Sequence, residues 1–217
     1  MALAIFDLDE TLIHGDCASL WSEQMVRLGW VDGESFLRRD KELMDAYGKG
    51  HLAMEDYMAF SLEPLIGRTP AEVEHLVGPW VEDFIEPIIF SDATKAIAAH
   101  RKAGDRILVI SASGTHLVAP IAERIGIDEI LGIELEVAHG VYTGKTVGTL
   151  TYREGKITRL LEWLDQEQEN LEGASFYSDS RNDLPLLLKV DHPHVVNPDA
   201  VLRAHAETNG WPILSWT

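Results

Sequence analysis

Leu3-Ala4-Ile5-Phe6-Asp7-Leu8-Asp9-Glu10-Thr11 is the stretch whose reading decides the fold. Four consecutive apolar residues with no polar alternate predict a strand covered on both faces, as in a parallel sheet held between two layers of helices. Two carboxylates, two residues apart, follow at its C-terminal end. A strand sends alternate side chains to one face, so Asp7 and Asp9 should leave it together. Like charges held that close are costly unless a cation or a proton lies between them. The pair therefore points to a divalent metal site, to a nucleophile with an acid/base partner, or to both.

C-terminal to this stretch the pattern changes. From Ala18 to about Glu86 helical periodicities follow one another over Ala18–Leu28, Glu34–Tyr47, Met54–Leu62 and Pro70–Phe84, punctuated by Gly29, Gly33, Gly48, Gly50, Pro64 and Gly67. Thr69-Pro70-Ala71-Glu72 places a cap residue ahead of a proline in a first helical turn. A long strand-free stretch between a strand and a return to β/α alternation reads as an inserted helical bundle. Alternation resumes with a helix over Asp92–Ala103, a buried strand Arg106–Ile110 and a helix Thr115–Ile125. A hairpin or sheet-edge excursion follows from Ile133–Val137 and Val141–Val147 about His139-Gly140, then a helix Ile157–Gln166 and a strand Ala174–Tyr177. Helix and strand over Leu184–Val190, His194–Val196, Ala200–Thr208 and Ile213–Trp216 complete the order. Strand followed by helix, repeated, implies right-handed crossovers and a Rossmann-like, doubly wound, mostly parallel sheet, which binds ligands at the strands' C-terminal ends. The expected organisation is an α/β core from 1–16 and 87–217 with a helical cap at 17–86.

The 217 residues suffice for one such domain with an insertion, and 46% hydrophobic with 25% charged residues is ordinary globular composition. Thirty-six acidic against 18 basic residues give a net charge of −18, which repels nucleic acid and anionic membrane surfaces. An anion site on such a chain must gather its few cations locally. Cys17 is the single cysteine, which excludes an internal disulfide, and no basic segment followed by an apolar one opens the chain. A cytoplasmic setting is expected, with no membrane span.

Three further polar clusters fall where strands end. Arg106–Ile110 runs into Ser111-Ala112-Ser113-Gly114; the strand ending at Tyr177 runs into Ser178-Asp179-Ser180-Arg181-Asn182-Asp183; Arg153-Glu154-Gly155-Lys156 precedes a helix. Together they offer an anionic nucleophile, a metal site and donors for phosphate oxygens, which is what phosphoryl transfer requires. Asp7-x-Asp9-x-Thr11, Ser111, Lys156, and Asp179 with Asp183, in this order, resemble the four motifs of the haloacid dehalogenase (HAD) superfamily phosphatases. The helical insertion is similar to the cap of that superfamily's phosphoserine phosphatase branch, and the likeness covers nearly the whole chain.

The resemblance implies a phosphomonoester hydrolase acting on a small phosphorylated metabolite. Asp7 would be the nucleophile that becomes an aspartyl phosphate, and Asp9 the acid and then the base. Mg²⁺ would be held by Asp7, the backbone carbonyl of Asp9 and Asp179, with Asp183 in support. Lys156 would neutralise Asp7 and the phosphoryl oxygens, while Thr11, Ser111, the Ala112 N–H and Asn182 would bind the phosphate. The fourth motif departs from the usual glycines, carrying Ser178, Ser180 and Arg181.

Other readings of these residues are weaker. A calcium loop fails because its sixth and twelfth positions are Leu12 and Ala18, not glycine and glutamate. A serine-hydrolase elbow at Ser111 fails because Val109 stands where a glycine is needed. His192 and His194 read as loop residues and Cys17 as a small buried residue opening a helix. Trp21 and Trp80 read as cap packing, although one could line a substrate pocket.

In the phosphoserine branch an acidic residue nine positions after the nucleophile meets the substrate ammonium, a place Asp16 fills here. An arginine there clamps the substrate carboxylate, and alignment of Gly50-His51-Leu52-Ala53-Met54-Glu55 with that cap stretch puts Ala59 at its position. Alanine cannot make that bidentate contact. The expected substrate is therefore a small ester bearing an amine but no carboxylate, such as histidinol phosphate. Phosphoserine, with Arg38, Arg39 or Arg68 substituting for the arginine, and a HAD-type phosphotransferase are the alternatives.

Overall fold

A computed structural model describes residues 2–49 and 51–217; Gly50, one of the expected helix breaks, lies outside the described residues. The strands are β1 Leu3–Phe6, β2 Arg106–Gly114, β3 Ile130–Ala138, β4 Val141–Val147, β5 Ser175–Ser178, β6 His192–Val196 and β7 Ile213–Leu214. The helices are α1 Cys17–Arg27, α2 Gly33–Gly48, α3 Met54–Leu62, α4 Pro70–Trp80, α5 Ser91–Ala103, α6 Thr115–Ile125, α7 Glu154–Glu167, α8 Leu184–Leu187 and α9 Ala200–Asn209. Among the described residues one sheet of seven strands runs in the order β4-β3-β2-β1-β5-β6-β7, and of its pairs only β3–β4 is antiparallel.

The unbroken apolar run of β1 has the reason the sequence suggested. Ala4 and Phe6 pack into one core with residues of α5 and α6, such as Ile97, Leu117 and Ile121, while Leu3 and Ile5 pack into a second with Leu160 and Leu164 of α7 and Leu202 of α9. The sheet is thus doubly wound, and strand order reverses about β1. Its C-terminal end opens on the crevice where such sheets bind ligands, flanked by the ends of β2 and β5.

The expected helices of the 17–86 segment are present, and their apolar residues join the same buried cluster as Phe6, Leu8 and Leu12. Thr69 and Glu72 form a reciprocal capping box at the start of α4, with Pro70 in its first turn. α4 stops at Trp80 rather than continuing to Phe84, and Val81–Ile85 follows as a wider π turn. Pro79 supplies no N–H to the turn before it, which explains the early stop. Gly67 N donates to the Tyr142 carbonyl at 3.0 Å and Tyr142 N to the Arg68 carbonyl at 2.9 Å, so main-chain pairing ties the segment to β4. Among the described residues no helix is long and apolar enough to cross a membrane.

Candidate active site

Asp7 follows β1 directly, and its N–H donates to the Tyr177 carbonyl of β5 at 2.9 Å, which fixes where the strand releases it. Its carboxylate meets the ammonium of Lys156 at 2.7 Å, and the same ammonium lies 2.8 Å from Asp183. All three side chains are buried. Burial opposes the lysine's charge, but Asp183 and Asp7 outweigh it and hold the ammonium above the ordinary lysine range. Burial pushes the Asp7 carboxyl up to about 7 against the pull of Lys156, with Asp183 and Asp9 adding to the push. Asp179 is held well above the usual carboxylate range by burial and then by Asp7 and Asp183. One ammonium therefore faces an excess of carboxylates, and the pocket needs further positive charge.

Lys156 reaches this place because α7 begins in a tight turn. Arg153 there adopts a positive φ of 51°, and a Cβ on Gly155 would lie 1.9 Å from the backbone oxygen of Leu150. Neither backbone can yield without moving the helix start. Gly155→Ala is accordingly expected to cost about 3 kcal/mol or more, a drop of about 6 °C or more in thermal midpoint, read by circular dichroism on heating.

Asp9 faces the helical segment. Its Oδ1 accepts from Cys17 N of α1 at 2.7 Å, and its Oδ2 accepts from Ser113 Oγ at 2.9 Å and from Ser111 Oγ at 3.4 Å. The register of β2 against β3 breaks between Ile110 and Gly114, so Ser111, Ala112 and Ser113 stand at the crevice edge. Thr151 Oγ1 holds the Ser111 carbonyl at 2.5 Å. Thr11, expected at the phosphate, donates to Asp179 Oδ1 at 3.4 Å.

The serines of the last loop replace the usual glycines without opening it. Ser178 Oγ donates to Asp183 at 2.7 Å, and the Ser180 hydroxyl accepts from Asn182 N at 3.2 Å. Asn182, also expected at the phosphate, links the loop to the helical segment: its Nδ2 donates to the Tyr47 carbonyl at 3.2 Å, and its Oδ1 accepts from Tyr152 and Arg153. Asp16 caps α1, accepting from Ser19 N at 2.7 Å. Burial, then the charge of Asp9, pushes its carboxyl up to about 8.

The structure thus brings Asp7, Asp9, Thr11, Ser111, Lys156, Asp179 and Asp183 together, with Asp16 beside Asp9. Ala59 is exposed on α3, so the alignment that placed it at a substrate contact does not hold; Tyr57 and Met58 take the buried face. Arg38 and Arg39 pair with Glu34 and Glu42 at the surface, and Arg68 lies 3.6 Å over the Trp30 ring. His192 and His194 both lie in β6, which starts two residues before the expected His194–Val196 element, so neither is a loop residue, and His194 stacks on Tyr177 at 4.4 Å. Sequence reasoning missed Ser113, although it shares the alternate-residue spacing that brings Ser111 to the edge, and missed Thr151, which carried no signal.

Among the described residues no three His, Cys, Asp or Glu side chains form a ready-made metal cage. The available donors are hard oxygens, the Asp7 and Asp179 carboxylates, in a pocket short of positive charge. Such a set fits a hard divalent cation that keeps several waters.

A family model for haloacid dehalogenase-like hydrolases matches residues 4–188. The chain is 38% identical to a histidinol-phosphatase of Neisseria meningitidis, over 99% of this chain and 98% of that one. It is 30% identical to a phosphoserine phosphatase of Mycobacterium tuberculosis, over 98% of this chain and 70% of that one. A solved Bordetella pertussis protein of unknown function superposes with a TM-score of 0.91 at 34% identity, covering 98% of this chain and 97% of that one. A substrate-bound phosphoserine phosphatase shares the fold with a TM-score of 0.72 at 20% identity, covering 98% and 92%.

Proposed function

This chain belongs to the haloacid dehalogenase-like hydrolase family, and from that premise we propose that it is a Mg²⁺-dependent phosphatase that forms an aspartyl phosphate on Asp7. Its proposed substrate is a small amine-bearing ester such as histidinol phosphate. The observation that carries the reading is the buried Lys156 ammonium set 2.7 Å from Asp7 in the crevice that Asp9, Ser111 and Asp179 also face.

Asp7 attacks phosphorus through a carboxylate oxygen; a P–O bond forms as the bond to the ester oxygen breaks. Asp9 gives its proton to the departing alkoxide, held toward the crevice by Cys17 N and Ser113. Asp9 then takes a proton from water, whose oxygen attacks phosphorus and releases inorganic phosphate and the Asp7 carboxylate. Lys156 draws the Asp7 carboxyl toward its ionised form and offers its charge to the phosphoryl oxygens, and Ser111 adds a donor at the strand end. Asp7, Asp179 and the Asp9 carbonyl would hold Mg²⁺, with Asp183 fixed in support by Ser178 and Lys156. When bound, the ion supplies positive charge for the phosphoryl oxygens that one lysine does not provide. The helical segment 17–86 acts as a cap that excludes water during transfer.

The Neisseria relative is named for histidinol phosphate. Arg38 and Arg39 are engaged with surface glutamates and Arg68 lies over the Trp30 ring, which supports an ester without a carboxylate. Phosphate release is expected with Mg²⁺, without any acceptor, and lost with chelator. kcat/KM on histidinol phosphate should exceed that on phosphoserine by about tenfold or more, since an uncompensated carboxylate would have to be desolvated. Faster turnover of phosphoserine would reverse the substrate assignment, and transfer only to an added hydroxyl would make the protein a phosphotransferase.

A further inference from the structure

A groove of ≈ 410 Å³ lies where the end of α2 meets the starts of α7, α8 and α9, with Lys49, Arg153 and Arg181 on its wall. The chain carries 36 acidic against 18 basic residues, yet here three permanent cations face one carboxylate, that of Glu154, and His51 adds an imidazole. The ratio is inverted. Like charges gathered on one wall repel one another, and in a chain of net charge −18 nothing in the general field gathers them, so the groove has the character of a place for an anion.

The cations are in part pre-set for that role. Arg153 is steadied by its Nε, which donates to Asn182 Oδ1 at 3.3 Å, and its guanidinium lies 5.0 Å over the Tyr152 ring. Asp199, behind Arg181, is occupied as the cap of α9: its Oδ1 accepts from Val201 N and Leu202 N, and its Oδ2 accepts from Arg181 N at 2.7 Å. Arg181 Nε reaches it at 3.4 Å, which leaves the terminal guanidinium nitrogens of Arg181, like the Lys49 ammonium, without a partner among the described residues. The opposite wall is apolar, formed by Leu184, Pro185 and Val201, the last 47% exposed. None of the carboxylates of the catalytic crevice lines the groove, nor does Lys156.

We propose that this groove is a second anion site, separate from the catalytic crevice, which takes a phosphate group carried on a small apolar body. Lys49, Arg153 and Arg181 receive the oxygens, arginine matching two of them at once, and the apolar wall receives the body. The volume lies within the ~300–1,000 Å³ of small-molecule sites. Lys49 belongs to the helical segment and both arginines to the core, so the ligand joins the two beside the bond from Asn182 to the Tyr47 carbonyl. Binding there does not depend on hydrolysis in the crevice.

Phenylphosphonate, a dianion whose carbon–phosphorus bond no ester hydrolysis cleaves, is titrated calorimetrically into the native protein with chelator at low salt. Without metal the crevice holds more carboxylates than its one ammonium balances and repels a dianion, so the heat reports the groove. One site is expected, weakening as salt is raised. Lys49→Gln and Arg181→Gln should each bind about tenfold or more weakly, the loss of one charge-assisted contact. Lys49 is exposed at a helix end, so Lys49→Gln keeps the fold and tests the site whatever Arg181→Gln does to stability. Methylphosphonate, which leaves the apolar wall uncovered, should bind about threefold or more weakly than phenylphosphonate. Asp7→Asn separates the two places: an anion in the crevice gains affinity when a carboxylate is removed, while one in the groove binds as in the native protein. Absence of binding, equal affinity in the native protein and Lys49→Gln, equal affinity for the two phosphonates, or a gain in Asp7→Asn each overturns the proposal.

Discussion

Asp7→Asn is expected to abolish phosphate release, by at least about 10⁴-fold in kcat, because a carboxamide cannot open a phosphoryl-transfer path that begins with carboxylate attack. The uncatalysed hydrolysis it leaves behind is slow enough that accelerations reach about 10²¹-fold for this bond, so residual positioning restores little measurable turnover. The fold should survive. Asparagine keeps an acceptor for Lys156, which stands 2.7 Å away, and relieves a burial cost that already pushes the native carboxyl up to about 7. A thermal midpoint within about 4 °C of native, equivalent to about 1 kcal/mol in a chain of this size, should accompany the loss of turnover. Steady-state phosphate release measured beside thermal unfolding checks both halves. An Asp7→Asn protein that still turns over at a tenth of the native rate would remove the nucleophile from the mechanism.

Lys156→Met should damage stability as severely as turnover. The side chain is 1% exposed and bridges Asp7 and Asp183, so its removal strands two buried carboxylates without their counter-ion. Breaking a buried pair in this way costs about 3–5 kcal/mol, or about 6–20 °C in the midpoint of a protein this long. The loss has a direction in pH. Lys156 lowers the Asp7 pKa, and without it the folded-state value rises further above the ordinary 3.8. The folded chain then binds a proton that the unfolded chain has given up, so stability falls as pH rises from about 4 through the raised value. The deficit of Lys156→Met relative to native should therefore be larger at pH 8 than at pH 5, a comparison that denaturant unfolding at the two pH values provides. A deficit independent of pH would mean that the carboxylates find other partners when the lysine is absent.

Local chemistry made much of this legible in the sequence. Leu3–Phe6 is apolar on both faces because both faces are covered, and Met54–Leu62, Thr115–Ile125 and Val141–Val147 end where their helical or alternating periods end. The seven-stranded order about β1 then brings residues distant in the chain to one crevice, which is why motifs in order at strand ends indicated a site. What periodicity could not show is where a chain turns against its own pattern. α4 ended early because of Pro79, and β2 ran past Ile110 because Ser111–Gly114 continues extended beyond the regular ladder.

The substrate side was less legible than the phosphate side. Asp16 could be placed by its distance from Asp7, but the helical segment supplies its remaining contacts through packing. An alignment by spacing selected Ala59, which faces solvent, and passed over Tyr57 two residues earlier, which is buried with no partner for its hydroxyl among the described residues. The helical face that turns inward depends on how α3 meets α1 and β4. Asn182 shows the same limit: its motif position suggested phosphate, while its amide spans to the Tyr47 carbonyl across the junction.

The sequence by itself determined that a strand would deliver Asp7 and Asp9 to a sheet edge, that Ser111, Lys156 and Asp179 with Asp183 belonged to the same edge, and that helices would intervene before the sheet resumed. Those features follow from side-chain period and residue order, which are local. Tertiary structure alone decided that Lys156 bridges Asp7 and Asp183, that Gly155 must lack a side chain against Leu150, and that Trp21, Tyr57 and His116 leave their polar atoms around one small cavity. Each of these depends on which distant surfaces are pressed together, and burial then turns an ordinary ammonium, backbone atom or hydroxyl into a group whose energy depends on its neighbours.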